Sequence, residues 1–512
     1  MSMTPHSLPD LGPGAPTAPI GLTGGAASAS AHLANSTVDV PDAVLERLRS
    51  VCADVTIDAA TRAESSRDWW PLAMTWALDG QVPALAAAVA RPQSPGEVGA
   101  VLAIANEAGI PVTAAAGRSG VCGSSVPLYG GIVLDLCDLK GIRSVDDSSL
   151  TADVLAGTFG DYFEHELRTT YGLTCGHWPQ SVALSTVGGW LACRGAGQLS
   201  TRYGKIEDMV VGLDVTLADG TEIHTEGNAR QATGPDLNQL FVGSEGTLGI
   251  ITAARLRLHP APPHERRLAY GFASFTDGLE ACRQILRRGA TPAMLRLYDP
   301  VEADRTYKTG NVAVLLVLDE GDPCLVDATI EVVEEICQIG LPLDIDLVEQ
   351  WMGHRNNVDQ LEQLISGGLV VDTMEITGSW SALPAIYRDA VAAIQAVPGT
   401  LAASAHQSHA YTDGACLYFT FAGKPGTDPE QKVAYYRAAW DAGTRAVLAH
   451  GGALSHHHGV GINRARFMAE ALGSGLGVLG AVKTALDPNG ILNPGKLGLP
   501  SRFGPNPFAD LA

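Results

Sequence analysis

Three consecutive histidines, His456-His457-His458, stand between a glycine-rich lead-in, Gly451-Gly452-Ala453-Leu454-Ser455, and a glycine-rich exit, Gly459-Val460-Gly461. Neighbouring side chains point to different sides of any regular element, so such a run suits neither a helix nor a half-buried strand. Imidazole titrates closest to neutrality and serves as proton acceptor, proton donor or metal ligand. No metal is expected here, because successive histidines cannot all reach one ion from regular backbone and no neighbouring Cys or carboxylate completes a set. The run therefore reads as a catalytic or substrate-facing loop.

Three separated loops carry a second kind of chemistry. They are Ala114-Ala115-Ala116-Gly117-Arg118-Ser119-Gly120-Val121, then Gln180-Ser181-Val182-Ala183-Leu184-Ser185-Thr186-Val187-Gly188-Gly189, and Glu245-Gly246-Thr247-Leu248-Gly249-Ile250-Ile251. Small residues let backbone N–H groups approach a phosphate closely, and Arg118 adds a cation. Neither a Gly-x-Gly-x-x-Gly after a first strand nor a Gly-x-x-x-x-Gly-Lys-[Ser/Thr] occurs, which counts against a Rossmann site or a P-loop.

The elements that must hold these loops belong to a globular chain of 512 residues, 46% hydrophobic and 17% charged, long enough for two or three cores. With 34 basic against 55 acidic residues, nucleic acid and anionic membrane surfaces are poor partners. Nine scattered cysteines without a CxxC pair, no signal-like N-terminus and no membrane-length apolar run lead us to expect a cytoplasmic protein with reduced thiols. A homodimer is compatible with this composition.

Residues 1–37, rich in Pro, Gly, Ala and Ser, read as a disordered tail. Ser94-Pro95-Gly96-Glu97 predicts a capped helix ending at Gly109, followed by strands over 110–115 and 132–136. Ala218-Asp219-Gly220 predicts a hairpin between 210–217 and 221–225, and 250–258 makes a last strand. Pro260, Pro262 and Pro263 mark a boundary. Beyond it, 264–450 mixes strands such as 312–318 with helices such as 277–288, and one helix is expected over 467–486 before Asn493-Pro494-Gly495-Lys496 closes the ordered part.

The order of the three loops, with Tyr203-Gly204-Lys205-Ile206-Glu207-Asp208 between the second and third, resembles the vanillyl-alcohol oxidase/PCMH flavoproteins, type 4 oxidase/transferase branch, over about 90–500. Within that branch Ser455 to Gly461, Gly176-His177-Trp178-Pro179-Gln180-Ser181 and Gly414-Ala415-Cys416-Leu417-Tyr418-Phe419 are similar to motifs of the alkylglycerone-phosphate synthases. The resemblance implies an α+β fold: a PCMH-type two-subdomain FAD-binding domain over 38–260, a cap domain over 264–450, and a histidine loop with a C-terminal helical return over 451–500. It implies FAD contacts from the three loops and from Cys193, Arg194, Gly195 and Ala196. It also implies an essential tyrosine at Tyr418, important histidines at His177 and at His456, His457 and His458, and a substrate arginine at Arg296.

Two departures bear on function. Where the synthases place a substrate-binding arginine this chain has Asp359-Gln360-Leu361-Glu362, and leucine cannot hold a phosphate; Arg355 stands one turn away as a substitute. After the histidines Ile462-Asn463-Arg464 carries one cation fewer than the synthases do. Neither Cys122 nor Cys175 falls where a flavin-tethering residue would, so non-covalent FAD is expected. The expected activity is FAD-dependent oxidation of a small alcohol or 2-hydroxy acid, the alternative being a synthase-like transferase making the ether bond of ether lipids.

Overall fold

The computed structural model describes residues 8, 11–33 and 37–509. The helix Pro95–Ala108 begins at Ser94, whose hydroxyl accepts the Glu97 N–H at 3.3 Å, and ends at Gly109 with φ 67°. It buries Val98, Val101, Leu102 and Ala105 against a small sheet in which Ala88–Arg91, Ile132–Asp135 and Val112–Ala115 run parallel and Asp54–Thr56 is antiparallel. The expected hairpin is present as Val210–Thr216 and Glu222–His224, within an antiparallel five-stranded sheet that includes Ile250–Arg257.

Beyond the proline boundary lies a seven-stranded antiparallel sheet ordered 341–342, 264–272, 313–321, 294–298, 400–410, 414–423, 370–379. Its strands alternate with period two. Leu295, Leu297, Met374, Ile376, Leu417, Phe419 and Phe421 pack into one core with the helices Phe275–Arg287, Leu383–Gln395 and Pro429–Ala449. The opposite face is left to Arg296, Tyr298, His406 and Tyr418.

Three expectations are corrected. Of the stretch read as a disordered tail, residues 1–7, 9–10 and 34–36 lie outside the described residues, and the rest is packed: Ile20 and Leu33 are buried, and Ser30–Ala31 pairs in parallel with Gln81–Val82. The helix expected over 467–486 is broken into Met468–Leu472 and Gly475–Leu486, because Gly473 takes φ 52°, ψ −126°. Order continues past Lys496 to Phe508, whose buried ring meets Trp70 edge-on at 5.0 Å.

Candidate active site

One cavity of about 670 Å³ lies between the three loops and the open face of the cap sheet. All of Ala114 to Val121 line it. Arg118 takes φ 53°, and among the described residues the N–H groups of 117–121 have no protein acceptor, so the cavity-lining loop carries an unclaimed set of donors. This is what a pyrophosphate needs. By contrast the helix Val187–Cys193 offers none at its start: its first N–H groups go to Thr158 O, Ala156 O and Thr186 Oγ1. Arg118 is not the free cation expected, since its guanidinium pairs with Asp135 at 3.2 Å.

The remaining loop residues divide. Gln180, Ser181, Leu184, Ser185, Thr186, Gly188, Gly189, Cys193, Gly195, Ala196, Glu245, Gly246, Gly249, Ile250 and Ile251 line the cavity. Val182, Ala183, Arg194, Thr247 and Leu248, expected beside FAD, do not. Arg194 turns instead to Gln239 Oε1 at 2.7 Å and to Glu207 at 3.3 Å, and Thr247 spends its hydroxyl on Ser244 O. Glu245 lines the wall, but its carboxylate accepts the N–H groups of Val460 and Gly461 and so clamps the exit of the histidine loop. Cys122 and Cys175 are buried outside the cavity lining.

Register explains the catalytic face. Glu375 pairs with Tyr418, Tyr418 with His406, and His406 with Tyr298, one row across four strands. The His406 ring stacks on Tyr418 at 4.9 Å and its Nε2 accepts from Arg296 at 2.6 Å, which leaves Nδ1–H to donate to Glu302 at 2.9 Å. Arg296 also donates to the Tyr298 hydroxyl at 2.6 Å. A bulge between Gln407 and His409 breaks the alternation and brings His409 to the cavity beside Ser408.

The histidine loop wraps around one carboxylate. Glu375 Oε1 accepts the Ser455 hydroxyl at 2.5 Å and the N–H groups of His456, His457 and His458 at 3.1, 3.0 and 2.8 Å. Glu375 Oε2 pairs with the buried Arg464 and lies 3.2 Å from His458 Nδ1, off the line of a hydrogen bond. Burial pushes Glu375 upward, but Arg464 first and His458 next hold its carboxyl well below the ordinary range. The three imidazoles part company. His457 and His458 line the cavity; His456 does not, and its Nε2 meets the Tyr411 hydroxyl at 2.9 Å. Burial holds His456 and His457 well below the usual imidazole range, so both are neutral.

One nitrogen from each of His409, His456 and His457 lies within 4.8 Å of the others, a metal-like cluster that the chain order conceals. Each ring already has a partner: Ser200 Oγ for His409 at 2.8 Å, and His456 Nδ1 to His457 Nδ1 at 2.9 Å. Burial, with Lys205 adding to it, depresses both His409 and His456, and the Lys205 ammonium, which donates to His456 O at 2.7 Å, would repel a cation. The cluster is a hydrogen-bonded imidazole network.

Two further groups face the cavity without protein partners. His177 is buried, its ring packs at a tilt against Trp190 with centroids 4.5 Å apart, and neither ring nitrogen is hydrogen-bonded; burial pulls it down to about 3, so it stays neutral. The Arg355 guanidinium lies 4.9 Å over the Trp178 ring and 5.6 Å over Trp351, with its Nη1 unsatisfied, and burial lowers it to about 10. Buried polar atoms left without partners beside an open cavity are available to a bound group. His406, His409 and Glu375 escaped the sequence reading, since each is an ordinary-looking residue made relevant only by strand register, whereas Arg464 was read only as a cation count and its pairing with Glu375 was not foreseen.

Residues 86–226 match the FAD binding domain family, and 261–497 match the C-terminal domain of FAD linked oxidases. The FAD-linked oxidoreductase YgcU of Escherichia coli (strain K12) is 32% identical over 410 residues, 76% of this chain and 83% of its own. An alkyldihydroxyacetonephosphate synthase of Dictyostelium discoideum is 29% identical, over 82% of this chain and 74% of its own. Glycolate oxidase subunit GlcD of Bacillus subtilis (strain 168) is 28% identical, over 80% and 88%. A solved alkyldihydroxyacetonephosphate synthase superposes with a TM-score of 0.74 at 24% identity, covering 90% of this chain and 87% of that one, and shares the fold.

Proposed function

Because this chain belongs to the FAD-linked oxidoreductases and is an enzyme of that family, we propose that it oxidises a small alcohol or 2-hydroxy acid. The observation that supports this reading is a cavity wall on which Arg296 and Arg355 stand with Tyr418 and His458, opposite the free N–H groups of 117–121. FAD, held without a covalent bond, would supply the hydride acceptor. Arg355, and Arg296 beside His406, orient a carboxylate, for which a planar fork of N–H donors is well shaped. Tyr418, pushed up by burial, keeps its proton and donates a hydrogen bond to the substrate oxygen. His458 takes the hydroxyl proton: it faces the cavity, and of the three histidines it alone has an anionic partner at Nδ1. His177 presents a neutral ring as a second polar contact.

One observation favours a second reading, the ether-forming transferase. Val358, Leu361 and Leu364 bring apolar side chains to the cap side of the cavity, where part of an alkyl chain could lie. Gln350, His354, Gln360 and Arg305 on the same side speak for a polar occupant. Anaerobic mixing decides between them: a 2-hydroxy acid bleaches the flavin, and acid precipitation of a separate oxidised sample leaves the yellow colour in the supernatant. Ether product from acyl-dihydroxyacetone phosphate and a fatty alcohol, with no bleaching by any hydroxy acid, would replace the first reading by the second.

A further inference from the structure

We propose that Glu375 is the positioning residue of the histidine loop, its carboxylate both folding 456–458 into the turn that aims His457 and His458 at the cavity and fixing the ring tautomer in which His458 accepts a proton. The second half rests on the assignment of His458 made above. Glu375 is 0% exposed and does not line the cavity, so it acts through other groups.

Three successive N–H groups and the Ser455 hydroxyl all point at Oε1. Consecutive N–H groups that converge on one oxygen form a concave backbone turn, and a concave backbone throws its side chains outward. That is how three neighbouring imidazoles become three directions: His456 toward Tyr411, and His457 and His458 toward the cavity. Oε2 is left for Arg464 and His458 Nδ1. Nδ1 lies 3.2 Å from Oε2 without being aimed along that line, and a carboxylate at that distance favours an N–H there over a second lone pair, which leaves the Nε2 lone pair free, the role a carboxylate plays behind a catalytic imidazole. Arg464, buried at 1% exposure, keeps that carboxylate charged.

Two measurements test the assignment. In holoprotein labelled with 15N-histidine, the His458 resonance, identified by its loss in His458→Gln, should show the Nδ1-protonated tautomer. An Nε2-protonated ring would overturn the proposal. This result is independent of the substrate, so an enzyme that shows the Nδ1 tautomer yet is bleached by no hydroxy acid would lose the proposed reaction and keep this assignment. In the second arm, Glu375→Gln keeps a carbonyl oxygen for the turn but presents an N–H to His458 Nδ1. FAD content should be unchanged, KM should hold within about twofold, and flavin reduction at saturation should fall on the order of 10³-fold. Added to His458→Gln, it should cost nothing more; additive losses would overturn the proposal. Should an unpaired Arg464 keep Glu375→Gln from folding, the tautomer measurement still decides, since it leaves Glu375 in place.

Discussion

The Arg355 guanidinium lies between two indole rings, Trp178 and Trp351, its Nη1 has no hydrogen-bond partner, and burial outweighs the pull of Glu320 and Glu265 so that its pKa is lowered to about 10. A buried cation in that state costs free energy until an anion arrives, and hydrogen bonds to charged groups are each worth about 1.5–3 kcal/mol. Arg355→Leu should therefore raise KM for a hydroxy acid by roughly 10- to 100-fold and leave FAD content unchanged. Steady-state assay of the variant checks this; an unaltered KM would assign the carboxylate to Arg296 alone. Nothing in the sequence around Arg355 marks it as an anion site. His177 was legible through the residues around it, but Arg355 needed two tryptophans separated from each other by 173 positions to be seen as a trapped charge.

At the scale of elements, the packed N-terminal strap is the larger surprise. Ile20 is buried with Trp69, Met74 and Ile365, and the strap's carbonyls at Thr17 and Ile20 accept from Trp69 Nε1 and the Arg67 guanidinium. Trp69, Val121, Leu184 and Leu361 in or around that cluster all line the cavity, so the strap ties the first two loops to the cap helix Asp359–Ser366 from outside. Ile20→Ala should lower unfolding free energy by about 2–4 kcal/mol and speed the loss of yellow colour on gel filtration. Destabilisation with FAD retained as in the wild type would confine the strap to a packing role. Composition misled here because Pro, Gly and Ala describe a chain without regular structure, which is not the same as one without contacts. The capped helix at Ser94 and the hairpin at Asp219-Gly220 were legible because each signal is local. The seven-strand order was not, since strand 294–298 finds its neighbour at 400–410, and the row Glu375–Tyr418–His406–Tyr298 exists only once that pairing is made.

Over the whole molecule, a net charge of −21 opposes the approach of an anion, so substrate selection falls to the cations enclosed in the cavity. The enclosure has a price in acid stability. Burial holds His177, His406, His409, His456 and His457 below the ordinary imidazole range, and the same burial pushes Asp68 up to about 7 and Asp319 and Asp372 up to about 6. Between about pH 5.5 and 6.5 the unfolded chain protonates His177, His409, His456 and His457 while the folded one keeps these four neutral. Over the same interval the folded chain retains protons on the three aspartates that the unfolded chain has released. The four imidazoles are displaced further from their ordinary range than Asp319 and Asp372 are, so the unfolded state takes up the more protons and stability rises with pH in this interval. Denaturant unfolding of the apoprotein at both ends of the interval should give the higher midpoint at the upper end. A midpoint that is flat or falls with pH would mean that the imidazoles carry protons in the fold, and a cavity of imidazolium groups could not accept the proton that the proposed oxidation releases.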